Sequence, residues 1–210
     1  MRTAHSEHDD AGQTQGKVAD ATALDLLFHK GRTYNVFRNI PVPDALLEEA
    51  VKLAKAGPTA VNSLPLRVVF VRSGEGKARL KPTLSPGNVD KTMVAPVTAI
   101  LAYDTQFFEH LPRLFPHMDL KGYFAGDAQA AQATAEKNGT LQAGYFILAL
   151  RALGLDAGPM AGFDNSKVDA EFFPVGRYKS NILVNIGYGD ASKLHPRGER
   201  LSFAEVASFA

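Results

Sequence analysis

Cysteine is absent from all 210 residues. That removes disulfides, cysteine nucleophiles, thiolate zinc sites and cysteine-ligated iron–sulfur clusters together. An excess of charge is lacking too: 23 basic residues face 22 acidic ones. Nucleic acid and anionic membrane are therefore not expected partners. No apolar run approaches the roughly 20 residues of a membrane span, and the polar N-terminus has no signal-peptide core. A cytoplasmic protein is the expectation. Several catalytic signatures are also missing: no Gly-x-Ser-x-Gly elbow, no His-Glu-x-x-His pair and no Gly-x-x-x-x-Gly-Lys loop. Gly154-Leu-Asp-Ala-Gly158 follows a predicted helix rather than a strand, so it is no dinucleotide fingerprint. Such a chain takes its difficult chemistry from a cofactor.

What is present is an ordinary globular composition, 45% hydrophobic and 21% charged. The length suits one domain with a real core. Residues 1–22 read as a flexible polar tail and 23–210 as a single domain. His5, His8, Asp9 and Asp10 could hold a metal weakly, but a mobile tail does not preorganise ligands, so no metal site is expected.

Helices are predicted over residues 23–30, 43–56, 75–80 and 129–153. In the second, Pro43 suits the first turn, and Leu47, Ala50, Val51 and Ala54 recur at helical spacing. In the last, Gly139 and Gly144 interrupt the pattern, so close packing is expected at both. β-Branched runs predict strands over 67–72, 96–103 and 179–186. Residues 83–88 and 158–162 read as loops, and 104–126 as an aromatic-rich excursion. The mixture implies an α+β fold with helices flanking a small sheet.

Gly57-Pro-Thr-Ala-Val-Asn62-Ser-Leu-Pro65-Leu-Arg67 joins a helix to a strand, the kind of loop in which binding groups are held. Gly31-Arg32-Thr33-Tyr34-Asn35 fits either a phosphate grip or a polar interhelical turn. Asn88 and Lys91, three apart, could project from one side of a turn; a solvated Lys91 is the other reading. Gly158-Pro-Met-Ala-Gly162 permits close backbone approach. Gly187-Tyr-Gly-Asp190 leads to Lys193, Arg197 and Arg200.

These five segments, in this order, resemble the FMN-dependent nitroreductase-like family, whose Pro-Ser/Thr-x-x-Asn-x-x-Pro pattern the 57–67 segment matches. The resemblance spans residues 26–201. It implies a mixed, mainly antiparallel sheet and an intertwined homodimer with FMN sites lined by both chains. It assigns Arg32, Thr33 and Asn35 to the FMN phosphate, with Lys193 and Arg197 (or Arg200) closing over it. It assigns Pro58, Thr59, Ala60 and Asn62 to the flavin ring, and Asn88 and Lys91 to the ribityl chain and polar edge. Pro159, Met160 and Gly162 belong to the loop approaching flavin N5. Asn35 replaces a frequent second basic residue, and Leu64 and Leu66 replace a frequent Gln and Trp.

More narrowly, residues 84–91, 111–117, 151–160 and 179–190 resemble the branch that reduces malonic semialdehyde in bacterial uracil degradation. That implies ping-pong transfer of hydride from NADH or NADPH through flavin N5 to the aldehyde, giving 3-hydroxypropionate. Arg113 and His117, in the variable excursion, are the candidates to face the substrate carboxylate; surface placement is the alternative for both. A broad nitro- or quinone-reducing enzyme and a non-catalytic flavin-binding protein are the rival readings.

Overall fold

The computed structural model describes residues 18–210. Its helices α1 (Ala21–Leu24), α2 (Asp44–Ala56), α3 (Gly74–Leu80) and α4 (Pro86–Val94) alternate with strands β1 (Leu66–Val71) and β2 (Val97–Asp104). The short helices α5 (Leu111–Leu114) and α6 (Lys121–Gly126) lead into α7 (Ala128–Ala152). Then come β3 (Asp156–Met160), α8 (Asn165–Phe172), β4 (Tyr178–Gly187) and α9 (Phe203–Val206). The strands form one sheet in the order β1-β2-β4-β3, antiparallel at every pairing. The mixed character expected of the sheet reduces to a single parallel bridge, Thr33 to Ala157.

The sheet is covered on both faces. On one, α2 and α7 pack through Leu47, Ala50, Phe146 and Leu150 onto Ala99, Leu101, Val184 and Ile186. On the other, Leu80 of α3 and Val168 of α8 meet Ile100, Ala102 and Leu183. Alternate residues of β2 thus serve two cores, and the whole strand is buried. A third cluster, with Phe107, Leu111 and Phe124, anchors the aromatic excursion to α7.

Three expectations are corrected. Residues 156–160 are a strand rather than the start of a tight loop, because β3 is an edge strand where Pro159 can sit without a donor. Residues 86–94 are helical, with Pro86 at the first position where its missing N–H costs nothing. The predicted tail ends early: α1 begins at Ala21, capped by Asp20, whose carboxylate accepts from the Ala23 N–H at 2.7 Å. The rest of that tail, with its histidines, lies outside the described residues. Of the two helical glycines, Gly139 is explained by packing, since a Cβ there would sit 2.8 Å from Tyr103 Cβ. Gly144 meets nothing within 4 Å in its own chain.

Candidate functional site

The predicted site residues fall into two groups at opposite edges of the sheet. The first collects around β3. Residues 33–34 run along its outer side, where the Tyr34 N–H donates to the Ala157 carbonyl at 3.2 Å. Gly158 permits this approach, for a Cβ there would stand 2.3 Å from the Tyr34 carbonyl oxygen. Thr33 is thereby set opposite Ala157, with Arg32 and Asn35 on either side of that pairing. Past the strand, Gly162 meets α4. Asn88 Nδ2 donates to the Gly162 carbonyl at 2.7 Å, and the Ser85 N–H donates to the same oxygen at 3.0 Å. A Cβ on Gly162 would lie 2.4 Å from that amide nitrogen. Lys91 is half-buried and one turn along the same face of α4.

The C-terminal segment joins this group. The Asp190 N–H donates to Val36 O at 3.0 Å, and exposed Lys193 follows three residues on. Arg32 Nη2 donates to the His195 carbonyl at 2.5 Å, and Arg197 Nη2 to His29 O and Gly31 O at 2.6 and 2.8 Å. The two arginines cross-brace their segments. Arg200 donates instead to Gly198 and Glu199 of its own segment.

Sequence reasoning missed Arg151. From α7 its Nη1 donates to Leu27 O at 2.8 Å, and its guanidinium carbon lies 2.7 Å from where a Gly31 Cβ would stand. Three guanidinium groups therefore surround the 29–32 turn. No local spacing announces a contact made across 124 positions of chain. Nearby, burial pushes the Asp156 carboxyl up, although it accepts from the Gly189 N–H at 2.8 Å. Burial, then the Asp156 charge, push the Tyr34 hydroxyl up.

The second group is the loop ahead of β1. Asn138 of α7 accepts from the Ala60 N–H at 2.8 Å, and the Tyr145 hydroxyl donates to Pro58 O at 3.1 Å. Thr59 Oγ1 accepts from the Leu64 N–H at 3.2 Å. Val61, Asn62 and Leu64 have φ of 48, 51 and 40°, left-handed values that are costly for a β-branched valine. Backbone held so is over-determined by its surroundings, and such strain clusters at binding sites. Asn62 Nδ2 donates to Leu114 O at 2.9 Å, which ties the loop to α5 and Arg113. His117 lies further on, its ring edge-on to Phe115 at 5.7 Å. Three interstrand steps, about 14 Å, separate β1 from β3. A single chain does not bring Pro58, Thr59, Ala60 and Asn62 to the residues grouped around β3.

Chemically, the β3 group offers cations at one end (Arg32, Lys193, Arg197) for a dianion. Neutral donors and a lysine stand at the other end, around Asn88, Lys91 and Gly162. Among the described residues no group of three or more His, Asp or Glu could hold a metal ion. No helix among them is long and apolar enough to cross a membrane.

Residues 32–188 match the model of the nitroreductase family. A Stenotrophomonas maltophilia protein with the provisional name NADH dehydrogenase/NAD(P)H nitroreductase is 57% identical over 191 residues, covering 91% of this chain and 97% of its own. A Ralstonia nicotianae protein with the same provisional name is 54% identical over 187 residues, covering 89% and 96%. Among solved structures, a nitroreductase family protein from Streptococcus pneumoniae has a TM-score of 0.75 at 27% identity, covering 86% of this chain and 96% of its own. An Exiguobacterium sibiricum protein, provisionally named a nitroreductase and solved with FMN, has a TM-score of 0.79 at 19% identity, covering 93% and 99%.

Proposed function

The chain belongs to the nitroreductase family, and on that premise we propose an FMN-dependent NAD(P)H oxidoreductase that reduces malonic semialdehyde to 3-hydroxypropionate. The observation that carries the flavin reading is the cradle at β3. Arg32 and Arg197 lie at one end of it, and Gly158 and Gly162 let Tyr34 and Asn88 close on β3 and the turn beyond it, a cationic end and a neutral end as the family resemblance assigns to the FMN phosphate and ring. When bound, FMN supplies hydride transfer at N5, taking hydride from NADH or NADPH and giving it to the second substrate.

The chain's own residues bind and orient. Arg32, Arg197 and Lys193 neutralise the phosphate, Thr33 and Asn35 add neutral hydrogen bonds, and Asn88 fixes the Gly162 carbonyl. Lys91 favours negative charge near the flavin's polar edge. Replacing Arg32 by alanine is expected to weaken FMN binding by about 1.5–3 kcal/mol, the range for charged hydrogen bonds. Titration by flavin fluorescence measures this, and an unchanged affinity would remove Arg32 from the site.

The separation of the two residue groups supports a homodimer, in which the partner's 57–64 loop completes each site. So does the C-terminal segment, which leaves Leu201, Phe203, Val206 and Phe209 exposed. An edge strand, β1, lies open beside Val51, Leu66, Val68 and Phe70 to receive such a segment. The compartment implied is the cytoplasm, where the nicotinamide donors are.

The naming of the relatives favours a second reading, broad reduction of nitroarenes or quinones. An anaerobic visible spectrum with FMN separates the two. Bleaching by NADH or NADPH followed by recovery with malonic semialdehyde supports the aldehyde reductase. Recovery with only a nitroarene or quinone keeps the flavin enzyme and discards the aldehyde. Absence of any bleaching leaves a flavin-binding protein without turnover, and absence of FMN binding removes the flavin reading.

A further inference from the structure

Lys77, on α3, is a buried charge that the site described above does not use. The residue is 7% exposed. Its Nζ donates to the Thr92 carbonyl at 2.7 Å and to Thr98 Oγ1 at 2.6 Å. Burial alone lowers its pKa, to about 8, with no carboxylate contributing. Buried cations are ordinarily paired, so one with no carboxylate partner among the described residues is retained at a cost.

The hydrogen bonds beyond Lys77 run in one direction. An ammonium has donors only, so Thr98 must accept from it and turn its own hydrogen elsewhere. That hydrogen goes to Asn185 Oδ1 at 2.7 Å, which fixes which way the Asn185 amide faces. Asn185 Nδ2 then donates to Thr92 Oγ1 at 3.3 Å. Thr92 Oγ1 in turn donates to Met160 Sδ at 3.7 Å. The chain links α3, β2, β4 and α4 to the last residue of β3. The Thr92 carbonyl lies in the last turn of α4, where a cation complements the helix dipole. The same helix carries Asn88, and the same strand leads to Gly162, the pair that meets at 2.7 Å.

We propose that Lys77 is a positioning residue of the cofactor site, holding α4 and Met160 in the register that lets Asn88 close on Gly162. The inference rests on the flavin reading of that site. Lys77→Met removes the charge and the donors, and it is expected to raise the FMN Kd at least tenfold. Thr98→Val cuts the chain while sparing the Lys77 bond to Thr92, and a rise of about threefold is expected. The double variant should be no weaker than Lys77→Met, because both act through one chain. Leu150→Ala, in the core on the other face of the sheet, controls for general destabilisation and should leave the Kd unchanged.

A second readout needs no flavin. Amide exchange at Ser85 and Asp164, whose N–H groups donate to Gly162 O and Thr83 O, should quicken in the FMN-free Lys77 and Thr98 variants but not in Leu150→Ala. A wild-type Kd in Lys77→Met, or a loss no larger than in Leu150→Ala, overturns the proposal. If Lys77→Met does not fold, the Thr98→Val exchange rates decide. If the wild-type protein binds no FMN, the flavin reading fails separately, and unchanged exchange in the variants would sink the positioning role by itself.

Discussion

Asp104→Asn is expected to destabilise the protein by about 1.5–3 kcal/mol, the range for charged hydrogen bonds. Asp104 ends β2 and is fully buried. Arg177 grips both its oxygens, Nε at 2.7 Å and Nη2 at 2.8 Å, and Arg67 Nη2 adds a third charged bond at 2.6 Å. The Gln106 N–H supplies a fourth at 2.9 Å. Tyr178 lies against both guanidinium groups, at 5.6 and 5.9 Å. An exposed ion pair contributes less than about 1 kcal/mol, so exposure decides the size of this effect. Denaturant unfolding at fixed protein concentration measures it, and a loss under 1 kcal/mol would place the cluster with ordinary surface pairs. Arg67 also donates to the Leu64 carbonyl at 3.1 Å, so the substitution should loosen the strained 61–64 turn as well.

The same carboxyl gives stability an acid limb. Burial pushes its pKa up, but the Arg177 and Gln106 hydrogen bonds and the two guanidinium charges outweigh this and hold it below its ordinary 3.8. A carboxyl lowered in the folded state contributes stability that is present above the unfolded value and lost as pH falls through the folded one. Asp104→Asn should therefore flatten the decline below about pH 4, visible as a shallower dependence of the unfolding midpoint on pH.

Much of this architecture is written locally in the sequence. The apolar spacing of α2 and the β-branched runs of β1, β2 and β4 each carry their own period, and the structure follows them within a residue or two. β3 is illegible for a physical reason: Asp-Ala-Gly-Pro-Met has the composition of a turn. It is a strand because β4 pairs with one side and Thr33–Tyr34 with the other. α4 is hidden similarly, since Ser-Pro-Gly-Asn reads as a loop until its proline is recognised as a first helical residue. The site divides the same way. Arg32, Asn88 and Gly162 stand in stretches that resemble a known family, whereas Arg151, Lys77 and Asp104 act through contacts distant in sequence. A lysine on a short helix reads as solvated, and only the tertiary structure shows that Lys77 points inward.

Gly158→Ala tests the cradle with a single methyl group. The added carbon would stand 2.3 Å from Tyr34 O and 3.6 Å from Asn185 Cβ. The first neighbour is backbone, so no rotamer change relieves the contact; either β3 or residues 33–35 must move. β3 is held along β4 through five paired residues, from Asp156 to Met160. The 33–34 segment is held to β3 by one bridge, to which the 3.2 Å bond from Tyr34 belongs. The weaker attachment yields, which carries residues 33–35 away from Ala157 and Gly158. Overpacking of this kind costs about 1–3 kcal/mol. If displacement of the grip absorbs that cost, FMN affinity falls by roughly 5- to 150-fold while global stability changes little. If β3 yields instead, the cost appears in the unfolding midpoint and FMN affinity is spared. Measuring both quantities on one variant tells the outcomes apart. A tightly bound FMN together with a lowered midpoint would mean that β3 yields and that residues 33–35 keep their place.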